Sequence, residues 1–313
     1  MMKLFSSAFC LLFLTSFLTV SVFAQKIETE GDLFAKISSL TKTKKPDDQD
    51  KAYQLGKTFL SKFGTKDDEE TKKVKEFVEK YQMATLGKKI EEGKTAEAFV
   101  FGKDVLTREP ENSYVTSNLA YAGYQVFQTK KDRTFAQDSV QYAKQTLQLF
   151  EAKKLPKSFE PFTDEADATA IMYYIIGHLS VDSNLPEAAQ NFYKAVQFTS
   201  RIKNNSYPYY IIAYNYEKEF EKARNAFEAK HGMKTTEDAE MKADNAKLEK
   251  LVKKMLDAYA RTIKLGETDN PSSVAGWKQR YTEVYSFLNG SDTGSAEFLA
   301  NVLTTPMPDP MIP

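Results

Sequence analysis

Apolar residues recur along this chain at the spacing of an α-helix. Between Asn245 and Leu265, the residues Leu248, Leu251, Val252, Met255, Leu256, Tyr259 and Ile263 fall at offsets 0, 3, 4, 7, 8, 11 and 15. Those offsets share one side of a 3.6-residue helix, and lysines and acids fill the other side. A similar pattern covers nearly everything after Gln25, whereas the alternating, β-branched pattern of strands is almost absent. Breaks at 44–48, 63–68, 91–94, 108–113, 154–162, 183–187, 204–208, 230–238 and 266–273 separate roughly a dozen helices of ordinary length. The predicted fold class is all-α. Asp292 or Ser295 is the expected N-cap of a last helix over 296–303. The tail TTPMPDPMIP (304–313) has four prolines in its last eight residues and is expected to be extended.

The N-terminus follows another pattern. Lys3 precedes an apolar run from Leu4 to Phe23, and Val22-Phe23-Ala24 offers small residues for cleavage before Gln25. This reads as a secretory signal over 1–24, giving a secreted or periplasmic product without stable membrane insertion. An uncleaved N-terminal anchor is the alternative, because the run is nearly long enough to span a bilayer. Removing the leader leaves 42 basic against 43 acidic residues, so the mature chain lacks the basic footprint of a nucleic-acid binder. The only cysteine, Cys10, lies in the leader, so no disulfide and no thiolate metal site is expected. With two histidines, His178 and His231, no zinc centre is expected either, and no cofactor.

A short signature recurs. AYQLGKTFL (52–60) and AFVFGKDVL (98–106) share Ala, an aromatic, Gly-Lys and Leu at matching places. Ala188, Phe192 and Ala195 are spaced 0, 4, 7. Ala136, Val140 and Ala143 repeat that spacing, and Ala223 with Phe227 repeats its first step. Small residues so placed let two helices approach, and the large one fills the groove between them. The pattern resembles the tetratricopeptide-repeat family, whose unit is ~34 residues in two antiparallel helices. The resemblance is best over 96–230, where LTREPENSYVTSNLAYAGYQ (106–125) and the Ile176-Gly177 pair fit a first helix. Spacings of 46, 38, 52 and 35 between corresponding alanines make the repeats degenerate, and the family's tryptophan is missing from its usual place. The resemblance implies an α-solenoid of about six antiparallel helix pairs, a TPR-like superhelix. Residues 25–95 would be loosely matching pairs, 231–303 would cap the stack, and 304–313 would follow. An unrelated helical bundle would share the same periodicity.

The segment SYPYYIIAYNYEKEFEKARNAF (206–227) holds five tyrosines in its first eleven residues. Tyr207, Tyr210 and Tyr214 share a face expected to pack in the core, against Ala223 and Phe227 of a following helix. Tyr209 and Tyr216 lie on another face. By the family resemblance, fixed positions of each first helix line a ligand groove. Carried over, they nominate Tyr114, Ser117, Tyr121, Tyr124 and Gln125, then Tyr174, His178, Val181 and Asp182, then Ile212, Asn215 and Tyr216. Rigid amphipathic tyrosines suit recognition of a peptide or a sugar chain. The competing reading has these tyrosines packed under a long loop or the proline-rich tail.

Catalytic motifs fail on inspection. Gly56-Lys57-Thr58 and Gly93-Lys94-Thr95 lack the earlier glycine and the strand of a phosphate loop. Asp292-Thr293-Gly294 occurs once, whereas aspartic-protease chemistry needs two aspartates. His178 with Asp182 one turn on is a common helical pair. The expectation is therefore a non-enzymatic scaffold for a protein or peptide partner. The alternative is a helical glycan or small-ligand binder, against which stands the lone Trp277, expected to lie far from the groove.

Overall fold

The computed structural model describes residues 28–233 and 236–309; the expected leader and residues 310–313 lie outside them. Among the described residues there are twelve α-helices and no strand. They are α1 (Glu30–Lys42), α2 (Pro46–Phe63), α3 (Glu69–Glu91), α4 (Thr95–Arg108), α5 (Ser113–Lys130), α6 (Ala136–Glu151), α7 (Glu165–Ser180), α8 (Leu185–Val196), α9 (Ser206–His231), α10 (Ala239–Asp269), α11 (Pro271–Asn289) and α12 (Ser295–Asn301). Short 3₁₀ turns follow α8, at Arg201–Asn204, and α12, at Val302–Thr304. Local chemistry sets the starts. Asn112, Asp164, Asn184, Asn205 and Asp238 each accept a hydrogen bond from a backbone N–H of the first turn. Thr29 and Asp32 form a reciprocal capping box.

The chain divides into two compact units, one running to Tyr81 and one beginning at Gln82. In the first, α1 packs on α2, and Gly56 of α2 lets α3 come close: a β-carbon there would sit 2.7 Å from Val78. Tyr53 stacks on Tyr81 at 4.5 Å.

In the second unit every helix from α4 to α11 packs on its neighbour in sequence, and α5 also lies against α7. This is the nearest-neighbour stacking of an α-solenoid built from antiparallel helix pairs. The recurring small residues mark its tight crossings. Ala188, Phe192 and Ala195 are fully buried, and a β-carbon on Gly177 would lie 3.1 Å from the Phe192 ring. Gly123 faces Phe135 and Ser139 in the same way, and Gly102 faces Leu119.

Several expectations are corrected. No break separates the tyrosine segment from Ala223 and Phe227. EKEFEKARNAFEAK contains no Gly or Pro, so α9 continues to His231, and both residues belong to that same helix, half-buried. Helix α10 exceeds the 245–265 stripe because Asp238 caps it earlier and nothing stops it before Asn270. The N-cap of α12 is Gly294, in a left-handed conformation with no side-chain hydrogen bond, rather than Asp292 or Ser295. The tyrosine faces are reversed. Tyr209 and Tyr216 are buried, while Tyr207, Tyr210 and Tyr214 are only half-buried. Trp277 packs over Gly266 and lies 5.6 Å from the Tyr210 ring, which is outside the nominated set.

Candidate functional site

The nominated residues fall into three groups. The first lies near the start of α5. Asn118 donates from its amide to the carbonyls of Tyr114 and Glu160, tying the long α6–α7 connection down over this helix. Phe162 of that connection is buried, 5.5 Å edge-to-face from Tyr121. Tyr114 is half-buried and Ser117 is buried, its hydroxyl donating to the Tyr114 carbonyl. Part of the nominated face is thus covered by a loop.

The second group is an aromatic cluster from α5, α7 and α9. The Tyr124 hydroxyl and His178 Nδ1 share a hydrogen bond at 2.7 Å. Tyr174 meets Tyr124 edge-to-face at 6.1 Å, and Tyr207 lies 4.9 Å from His178. Burial, reinforced by Lys131 and Arg133, depresses the His178 pKa to about 4. Burial also raises the Tyr124 hydroxyl, helped by the adjacent Tyr174, and pushes Tyr207 up to about 12. At neutral pH these groups are uncharged. Asp182 is exposed and pairs with Arg133 rather than serving His178. Gln125, within α5, and Val181, at the C-cap of α7, are half-buried.

Beside this cluster opens a cavity of about 260 Å³, lined by Tyr121, Tyr124, Gln128, Ile171, Tyr174, Arg201, Ile202 and Asn205. Three of its residues were nominated from sequence. Arg201, Ile202 and Asn205 were missed because the α8–α9 connection folds back over α7, which no local pattern announces, and Gln128 and Ile171 lie on α5 and α7 outside the carried-over positions. Each element has a reason to be there. Asn205 caps α9 by accepting from the Tyr207 N–H, and Ile202 anchors the 3₁₀ turn in the core. Arg201 stays exposed, with Nε 4.0 Å from the buried carboxylate of Asp167. The cavity therefore offers aromatic and aliphatic walls, neutral hydrogen-bonding groups and one cation at its edge. Its volume lies just below the usual range for whole-ligand pockets. That suits a single ring or side chain better than a nucleotide-sized cofactor.

The third group is buried. Ile212, Asn215 and Tyr216 lie in the core, so their nomination as open groove residues is corrected: α9 turns that face onto α8 and α10. Among the described residues, no group of three or more His, Cys, Asp or Glu side chains could hold a metal ion, and no helix is long and apolar enough to cross a membrane. Fold and site together define an all-helical stack with a small tyrosine-walled cavity. No known family model and no curated protein matches this chain at a significant level.

Proposed function

We propose that this chain is a non-enzymatic binding scaffold, exported to the periplasm or outside the cell, that holds a protein or peptide partner on a TPR-like helical stack. The observation that carries this reading is the cavity between α5, α7 and the Arg201–Asn204 turn. Its rigid tyrosines present large amphipathic contact area at low entropic cost, as in peptide-binding surfaces. It would take one apolar or aromatic side chain, with Arg201 and Asn205 meeting an adjacent carbonyl or carboxylate. A second reading is favoured by the cavity's size and its Gln128, Asn205 and tyrosine groups: one sugar ring of a glycan, stacked on Tyr121.

The test is binding of the mature chain to an immobilised peptide library and an oligosaccharide panel. A Tyr121→Ala, Arg201→Ala double variant with unchanged circular dichroism and melting serves as control. Peptides retained by the first protein and lost at least tenfold by the variant are the expected result. Sugars behaving so would favour the second reading. Equal binding by both proteins would remove the cavity as the site.

A further inference from the structure

The proline-rich segment does not hang free of the stack. After α12, Thr305 is extended, and the Arg261 guanidinium donates from Nη2 to its carbonyl at 2.8 Å. Met307 and Val302 are buried within the main core cluster, while Pro306 and Pro308 face outward. Asp309 is half-buried, and its charge adds to the burial that raises the Tyr193 and Tyr216 hydroxyls.

The surface beneath is built unlike a stability device. Arg261 and Asp257, one turn apart on α10, are both buried and joined by two hydrogen bonds, 2.7 and 3.2 Å. A buried ion pair stabilises a fold no better than apolar residues of the same size. What this pair adds is a fixed, charge-assisted donor aimed at a main-chain carbonyl. Polar groups of this kind are what a surface needs to recognise an extended backbone.

The occupant is made to fit, and the element leading into it is short and unburied. Proline fixes its own φ, removes an N–H that would otherwise need a partner, and keeps the residue before it extended. Thr305 and Met307 each precede a proline, so little conformational freedom is lost when the segment docks. The element leading into it, α12, has seven residues, buries none of them and has no side-chain cap. Such an element opens locally at low cost.

We propose that the surface of α10 centred on Arg261 is a docking site for an extended, proline-containing polypeptide segment. That segment would present a backbone carbonyl to Arg261 and, two residues on, an unbranched apolar side chain to the Met307 position. Residues 305–309 are the resident competitor, and a partner segment of the same chemistry displaces them. This site is separate from the tyrosine cavity and does not rest on the function proposed for it.

The probe is a fluorescent peptide with the sequence of residues 302–313, titrated by anisotropy into the full chain and into its Met307→Asp variant. The variant should bind at least tenfold more tightly than the wild type, because its own segment competes poorly. A peptide carrying Asp in place of Met should bind neither protein. No binding by a variant that keeps the wild-type circular dichroism and melting, or equal binding of both peptides, overturns the proposal. Should Met307→Asp fail to fold, hydrogen exchange on the wild-type chain decides. Saturating peptide should speed exchange across Ser295–Asp309 without speeding it in α9 or α10, and unchanged exchange in Ser295–Asp309 overturns the proposal. A doubled mass by light scattering, lost when free peptide is added, would support the site and identify its partner as the same segment of a second copy.

Discussion

His178 shows what a single side chain contributes here. Its position on α7 was legible, but its partner was not, because Tyr124 lies 54 residues away in sequence and meets it only where α5 rests on α7. Burial holds the folded pKa near 4, below the ordinary 6.5, so the unfolded chain takes up the proton first. The stability that depends on neutral His178 is whole above pH 6.5 and is lost as pH falls towards 4. The loss should total no more than roughly 3 kcal/mol, at about 1.36 kcal/mol per pH unit. In His178→Gln this portion of the pH dependence should vanish, read from urea midpoints at pH 7 and pH 5. Identical slopes in both proteins would rule out the neutral buried imidazole. Glycines give a second residue-scale contrast. At Gly123 a β-carbon would sit 2.2 Å from Ser139 Oγ and 2.8 Å from Phe135, whereas at Gly276 nothing lies within 4 Å. Gly123→Ala should destabilise by about 1–3 kcal/mol through overpacking. Gly276→Ala, exposed within α11, should stabilise by roughly 0.5–1 kcal/mol through helix propensity. Thermal melts of the two variants moving in the same direction would contradict this packing.

At the scale of elements, α10 carries both a long apolar stripe and a buried ion pair. Its apolar stripe from Leu248 to Ile263 was legible from spacing alone, and Val252, Met255, Leu256, Tyr259 and Ile263 are all buried. Asp257 and Arg261 sit within that run, and as charged residues they read from sequence as members of the solvated face. Instead they are buried, because α9 lies along one side of α10 while α12 and the proline-rich segment cover another. Burial raises the Asp257 carboxyl despite its arginine partner. Arg261→Ala should therefore cost about 3–5 kcal/mol by stranding that carboxylate, while Asp257→Leu with Arg261→Met should recover most of the loss. Urea unfolding of the two variants measures the difference. If the single variant is as stable as the double, the pair is not coupled in the folded state.

For the molecule's second unit, stacking between sequence neighbours has a consequence for how it opens. Eleven of the sixteen residues of α7 are buried, and it touches α5, α6 and α8. Helix α12 buries none. Amide exchange should accordingly be slowest in α7 and fastest in α12, with an ordered rise from the middle of the stack towards its C-terminal end. Uniform protection from α5 to α12 in exchange followed by mass spectrometry would show a single cooperative block instead. The repeat pattern anticipated this architecture where its small residues were real crossings, as at Gly177 and Phe192. It misled at Ala223 and Phe227, where the same letters sit on the far part of a continuous helix.

What the sequence by itself determined is the local layer: helical periodicity, breaks at capping and proline residues, and the small-large signature of helix crossings. These depend on neighbours within one or two turns, so spacing alone specifies them. Only the tertiary structure decided which tyrosines face the core and which line a cavity. It also decided that the 154–162 connection covers part of the nominated face, that the 305–309 segment lies on α10, and that Arg201 and Arg261 meet groups distant in sequence. Those outcomes depend on how far each helix is rotated about its axis and on where loops fold back. Both are settled by packing across the whole stack rather than by any short pattern of residues.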